Sequence, residues 1–84
     1  MIVSGLNNNW GASMATVREY RLEAGLSKND LCKKADVDYA TLTRAENGEP
    51  IFEYNAAKIA KALSSALGRT ITLKDIDGLT VYQP

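Results

Sequence analysis

Eighty-four residues, 45% of them hydrophobic, are enough for one packed domain and too few for two. Ten basic and ten acidic side chains cancel, which excludes a strong sequence-independent grip on nucleic acid and leaves any such binding to the placement of individual charges. With no histidine and one cysteine, Cys32, the inventory excludes His-based metal sites and triads, a structural zinc site and an internal disulfide.

No apolar run reaches the length of a membrane span, and the first residues lack the basic flank and apolar block of a signal peptide. A soluble cytoplasmic chain without a membrane contact is expected. The carboxylates Asp30, Asp36, Asp38, Glu46 and Asp75 each have a capping, turn or pairing role, so no spare pair remains for acid/base work. No glycine loop of a phosphate-binding type is present either, and the expectation is a non-enzyme without cofactor.

In chain order, residues 1–15 read as an N-terminal arm. Ile2-Val3 and Trp10 are apolar patches around the turn-forming run Asn7-Asn8-Asn9, and Trp10 is expected to pack on the edge of the domain. Thr16 with Glu19 makes a capping box that starts a first helix, whose inner face is Val17, Tyr20, Arg21 and Ala24 and whose end is Gly25. An arginine on an inward face needs a partner. Glu46 is the best placed to supply it.

Ser27 with Asp30 caps a second helix, and Asp38 caps a third with its carboxylate at the positive helix end. Counting from Lys28, the residues Leu31, Ala35, Val37, Leu42 and Ala45 fall where two crossed helices bury apolar side chains, with the small Cys32 where they approach most closely. Glu49-Pro50 then breaks the chain, and Ile51-Phe52 is expected to drop into the core. Glu53 to Leu67 follows a helical period, with Ala56, Ile59, Ala60, Leu63 and Leu67 inside, Lys58, Lys61, Ser64 and Ser65 outside, and Gly68 as the stop. Thr72 with Asp75 predicts a short fifth helix through Leu73 and Ile76, ended by Gly78. The tail, residues 78–84, has β-type composition at Thr80, Val81 and Tyr82 and is able to pair with Ile2-Val3 or with another copy of itself.

The segment Ser27 to Gly48 resembles the helix-turn-helix of the phage-repressor-like (Cro/XRE) family, and the likeness extends from about Val17 to Ile76. Arg21 stands where the family often has an arginine, Ala24-Gly25-Leu26-Ser27 resembles its link into the second helix, Ala35-x-Val37 its turn, and Glu46-Asn47-Gly48 its exit from the recognition helix. The resemblance implies an all-α, lambda-repressor-like bundle of about five short helices over residues 16–77, flanked by short extended arms. It further implies that the helix from Tyr39 to Glu46 lies in the major groove of a double-stranded DNA operator. Asp38, Tyr39, Ala40, Thr43 and Arg44 would then face base edges, and Lys28 and the backbone at Asn47 would meet phosphates. Arg21 and Glu46 would form the family's partly buried ion pair.

Three departures stand out. Asp36 occupies the turn position where the family usually has glycine, Lys28 replaces a common glutamine, and between Thr16 and Glu49 six basic residues face seven acidic ones. Modest affinity per domain follows, which a homodimer on paired half-sites would offset, with the arm and the tail as its surfaces. Two functions are compatible with this pattern. One is a sequence-specific transcriptional regulator, a repressor or a phage or mobile-element switch protein. The other is a protein-interaction module on the same fold, such as an adaptor, antirepressor or antitoxin with a protein partner and no significant DNA binding. They are separated by whether Lys28, Lys33 or Lys34, and Arg44 share one surface with Tyr39 without acidic interruption.

Overall fold

The computed structural model describes residues 14–82. The expectations for Ile2-Val3, Asn7-Asn8-Asn9 and Trp10 fall outside those residues. Four α-helices follow a short strand β1 (Ala15–Thr16): α1 (Val17–Glu23), α2 (Lys28–Ala35), α3 (Tyr39–Glu46) and α4 (Glu53–Leu67). No helix among the described residues is long and apolar enough to cross a membrane.

The first three helices begin where their local chemistry directs. Thr16 and Glu19 exchange side-chain and backbone bonds at 3.1 and 2.9 Å, Ser27 and Asp30 do so at 3.0 and 3.1 Å, and the Asp38 carboxylate accepts from Thr41 N–H at 2.7 Å. Each bond satisfies an amide that the first helical turn leaves without a partner. Between α2 and α3 the chain turns on Asp36, whose φ of 58° and ψ of 48° lie in the left-handed region. Aspartate is among the few non-glycine residues that visit it readily.

The core gathers one face of every helix. Val17 and Tyr20 of α1, Leu31 and Ala35 of α2, Leu42 and Ala45 of α3, and Ala56, Ile59, Ala60, Ala62 and Leu63 of α4 are buried together with Ile51, Ile71 and Ile76. Leu31, Leu42, Ile59 and Leu63 are wholly enclosed, and α4 packs most extensively against α2, which in turn packs on α3.

Three details differ from the sequence expectations. The fifth helix is a single 3₁₀ turn, Leu73–Asp75, because Ile76 leaves it in extended conformation to enter a strand β2 (Ile76–Asp77) that runs parallel to β1, with Ala15 opposite Ile76. Its Thr72–Asp75 bonds are present, Thr72 N–H and Oγ1 reaching the Asp75 carboxylate at 2.9 and 3.1 Å. Phe52 is 60% exposed; only Ile51 of the Ile51-Phe52 pair enters the core. Ser64 turns inward, accepting from Ile71 N–H and donating to the Ala60 carbonyl, both at 2.8 Å.

The tail also has a partner the sequence did not indicate. Ile51 N–H donates to the Thr80 carbonyl and Tyr82 N–H to the Ile51 carbonyl, both at 3.0 Å, making an isolated parallel bridge between Ile51 and Val81. Leu79 and Val81 pack against the core, so the described part of the tail has a structural role. Gly48 and Gly78 let the exit of α3 and the entry to the tail pass close together: both have φ above 70°, and a Cβ on Gly48 would lie 3.4 Å from the Gly78 carbonyl oxygen.

Candidate nucleic-acid interface

Helix α3 is oriented by what it buries. Leu42 and Ala45 anchor it to the core, which leaves Tyr39, Ala40 and Arg44 exposed and Thr43 half-buried on the opposite side. A tie from α1 fixes its far end. Arg21 Nε donates to Glu46 Oε2 at 2.7 Å, Nη2 lies 3.4 Å from Oε1, and Nη1 donates to the Leu26 carbonyl at 3.1 Å. Both side chains are about nine-tenths buried, so the pair is shielded from solvent and holds three elements in one register.

Two flanks border the exposed face of α3. On one side, Lys28 at the start of α2 donates from Nζ to Thr43 Oγ1 at 3.1 Å and stands 4.9 Å from the centre of the Tyr39 ring. A cation over an aromatic face is attracted to its π-electrons, so Lys28 is held across the helix crossing and does not trail into solvent. On the other side, Ala40, Thr41 and Arg44 line a cleft of about 260 Å³ with Asp38, Pro50, Ile51, Phe52, Asn55 and Tyr82. The Phe52 and Tyr82 rings form its outer wall, 5.1 Å apart.

The site residues expected from the sequence therefore separate into roles. Tyr39, Ala40, Thr43, Arg44 and Lys28 share one surface. Asp38 borders it while serving as the cap of α3; bonding from the Thr41 hydroxyl and N–H, with Arg44 nearby, holds its carboxyl below the usual carboxylate range. At Asn47 the expected backbone contact with phosphate meets an obstacle, because its N–H is committed to the Thr43 and Arg44 carbonyls at 3.0 and 3.1 Å as the helix ends. The Asn47 side chain, by contrast, is exposed, with its amide in solvent.

Lys34 lies elsewhere. It borders a second cleft with Ala35, Lys58, Lys61, Ala62 and Ser65, between α2 and α4, and so adds nothing to the α3 face. Phe52, Asn55 and Tyr82 border that face, although the sequence marked Phe52 only for the core and Tyr82 only for the tail; the Ile51–Val81 bridge, which joins segments thirty residues apart, brings Tyr82 there. Cys32, at the crossing of α2 and α3, is pushed up in pKa by burial and so stays a thiol at neutral pH. Among the described residues no group of acidic or cysteine side chains is placed to hold a metal ion.

Two crossed helices with a left-handed turn, an exposed polar face on the second and a lysine at the start of the first are the geometry of a helix-turn-helix. A family model of that description matches residues 17–74. The chain belongs to the Cro/C1-type helix-turn-helix (XRE) family. Its domain is that of a DNA-binding regulator of the XRE type. No curated protein and no solved structure matches this XRE domain.

Proposed function

We propose that the protein is a sequence-specific transcriptional regulator, a repressor or a phage or mobile-element switch protein, that works in the cytoplasm as a homodimer on a palindromic operator. The observation that carries this reading is the shared surface of Lys28, Tyr39, Thr43 and Arg44, with Ala40 between them, on a helix pinned from behind by Leu42, Ala45 and the Arg21–Glu46 pair.

Each side chain has a task in the major groove. Arg44 presents a planar fork that fits guanine O6 and N7, and the Ala40 methyl meets a thymine methyl. Tyr39 and Thr43 donate or accept through their hydroxyls, and Asp38 retains acceptor capacity for a cytosine amino group beyond its capping bond. Lys28 and the Asn47 side chain set the register on phosphates. By occupying its operator the dimer would exclude polymerase.

Selection of binding sites from a random DNA library, followed by titration of the best site across salt concentrations, tests the proposal. A palindrome is expected, with affinity that falls as salt rises. Arg44→Ala is expected to lose about 1–3 kcal/mol at the guanine position and to relax the preference there. No enrichment at low salt would overturn the reading. The favoured function would then be the protein-interaction module, to which the zero net charge and Asp38 at the border of the α3 face lend support.

A further inference from the structure

A net charge of zero hides a separation of charge along the chain. From Tyr54 to Lys74 there are four basic residues, Lys58, Lys61, Arg69 and Lys74, and no acidic one, which leaves six basic against all ten acidic side chains for the rest. Arg69 is taken up by Glu23. Lys58 and Lys61, one turn apart on α4, instead border a cleft of about 380 Å³ together with Lys34 of α2.

The floor of that cleft is apolar and its rim is cationic. Ala35 of α2 and Ala62 of α4 are 4 and 5% exposed, and alanine on both helices leaves a hollow that larger side chains would fill. Lys34 belongs to the last turn of α2, where a cation complements the helix dipole; Lys58 and Lys61 sit in the middle of α4, where that reason does not apply. Lys58 is steadied by the Tyr54 ring, 5.1 Å away, and by a long 3.9 Å contact with Asp36, whose carboxylate is almost wholly in solvent and weakly held. Among the described residues Lys34 and Lys61 make no ion pair. Three ammonium groups around one hollow repel one another unless an anion joins them.

The lining selects the kind of anion. Small-molecule pockets are largely apolar and aromatic, and no aromatic side chain lines this cleft. A DNA duplex presents its phosphates along a convex rod and has no small apolar group to seat between the lysines. A protein segment with carboxylates on either side of a small apolar side chain matches both features, its carboxylates meeting the lysines and its apolar group the two alanines. We infer that the α2–α4 cleft docks such an acidic segment of a partner protein. Its lining shares no residue with the cleft beside Arg44 and includes none of Lys28, Tyr39, Ala40, Thr43 and Arg44, so the inference stands whether or not the chain reads an operator.

Selection of short peptides from a random display library on the full chain, followed by fluorescence anisotropy of the selected peptide, tests it. The expected consensus places Asp or Glu on both sides of Ala, Val or Leu, with a Kd of about 10–100 μM that rises with salt. Amide chemical shifts should move at Lys34, Lys58, Lys61 and Ser65 when the peptide is added. Lys58→Glu combined with Lys61→Glu is expected to raise the peptide Kd by about tenfold or more, with helical circular dichroism like that of the parent. If the double variant does not fold, Lys61→Glu alone, at an exposed residue, decides by a rise of about threefold or more. The inference is overturned by a selection without an acidic and apolar consensus, by a polyglutamate peptide that binds as tightly as the selected one, or by shifts that map to α3. Random-sequence duplex DNA whose binding is weakened by the same two substitutions overturns it too, because the cleft would then be a phosphate-contacting face, as does self-association lost in the double variant, which would make a second copy the occupant.

Discussion

Burial gives the Arg21–Glu46 pair its weight. Two charges about nine-tenths removed from water are stabilising as a pair and costly singly, because the desolvation of each is offset only by the other. Arg21 also donates to the Leu26 carbonyl, so it ties the link between α1 and α2 to the end of α3. Removing the carboxylate strands a guanidinium that, among the described residues, has no second acid in contact. Glu46→Ala is expected to cost roughly 3–5 kcal/mol in urea unfolding. The companion double-mutant cycle with Arg21→Ala should show strong coupling; additive effects at these positions would mean the pair contributes nothing beyond its separate side chains. Arg69 with Glu23 is the contrasting case, a comparably short 2.9 Å contact between half-exposed groups, where solvent screening leaves little stabilisation.

At the scale of helices, the caps tie stability to pH. Asp30, Asp38 and Asp75 all have carboxyls held below their ordinary value of 3.8, Asp30 and Asp75 mainly by the backbone N–H of Ser27 and Thr72, and Asp38 by the Thr41 hydroxyl and N–H. As pH falls through 3.8 the unfolded chain takes up protons before the folded one, so the stabilisation present at neutral pH is lost as pH falls through the folded values. Asn caps a helix about as well as Asp but does not titrate. Asp38→Asn is therefore expected to leave Tm at neutral pH nearly unchanged and to flatten its decline toward about pH 3; an unchanged acid slope would remove Asp38 from the account. These caps were legible in the sequence because each joins residues three apart, and the core faces of α1 to α4 because helical periodicity repeats within one element. The Ile51–Val81 bridge was not, since a one-residue bridge between segments far apart in sequence leaves no periodic signal, and its exposed Phe52–Tyr82 wall was missed with it. Nor was the seat of Lys28 over Tyr39, which depends on the angle at which α2 crosses α3. The shortening of the fifth helix to one turn follows from the same long-range demand, the pairing of Ile76 with Ala15.

For the whole molecule, a net charge of zero means that affinity for DNA depends on where charge lies. The basic groups are dispersed: Arg21 and Arg69 are paired with acids, Lys34, Lys58 and Lys61 gather between α2 and α4, Arg18, Lys33 and Lys74 are exposed on other elements, and Lys28 and Arg44 lie on the α3 surface. Glu49 lies just beyond α3, its N–H bonded to the Arg44 carbonyl at 2.9 Å and its side chain in solvent. With α3 in the groove, that carboxylate would sit near the phosphates flanking the site and oppose binding without touching a base. Glu49→Lys replaces the repulsion with a phosphate contact and leaves the core untouched. Operator affinity is then expected to rise, and the slope of log Kobs against log salt to become more negative by about 0.9, the increment for one further phosphate neutralised on duplex DNA. Preference among operator variants should stay the same, because no base contact is gained or lost. Fluorescence anisotropy of the selected operator at several salt concentrations reads both quantities. A slope unchanged by Glu49→Lys would place the α3–α4 loop away from the DNA backbone and require a different docking of the recognition helix.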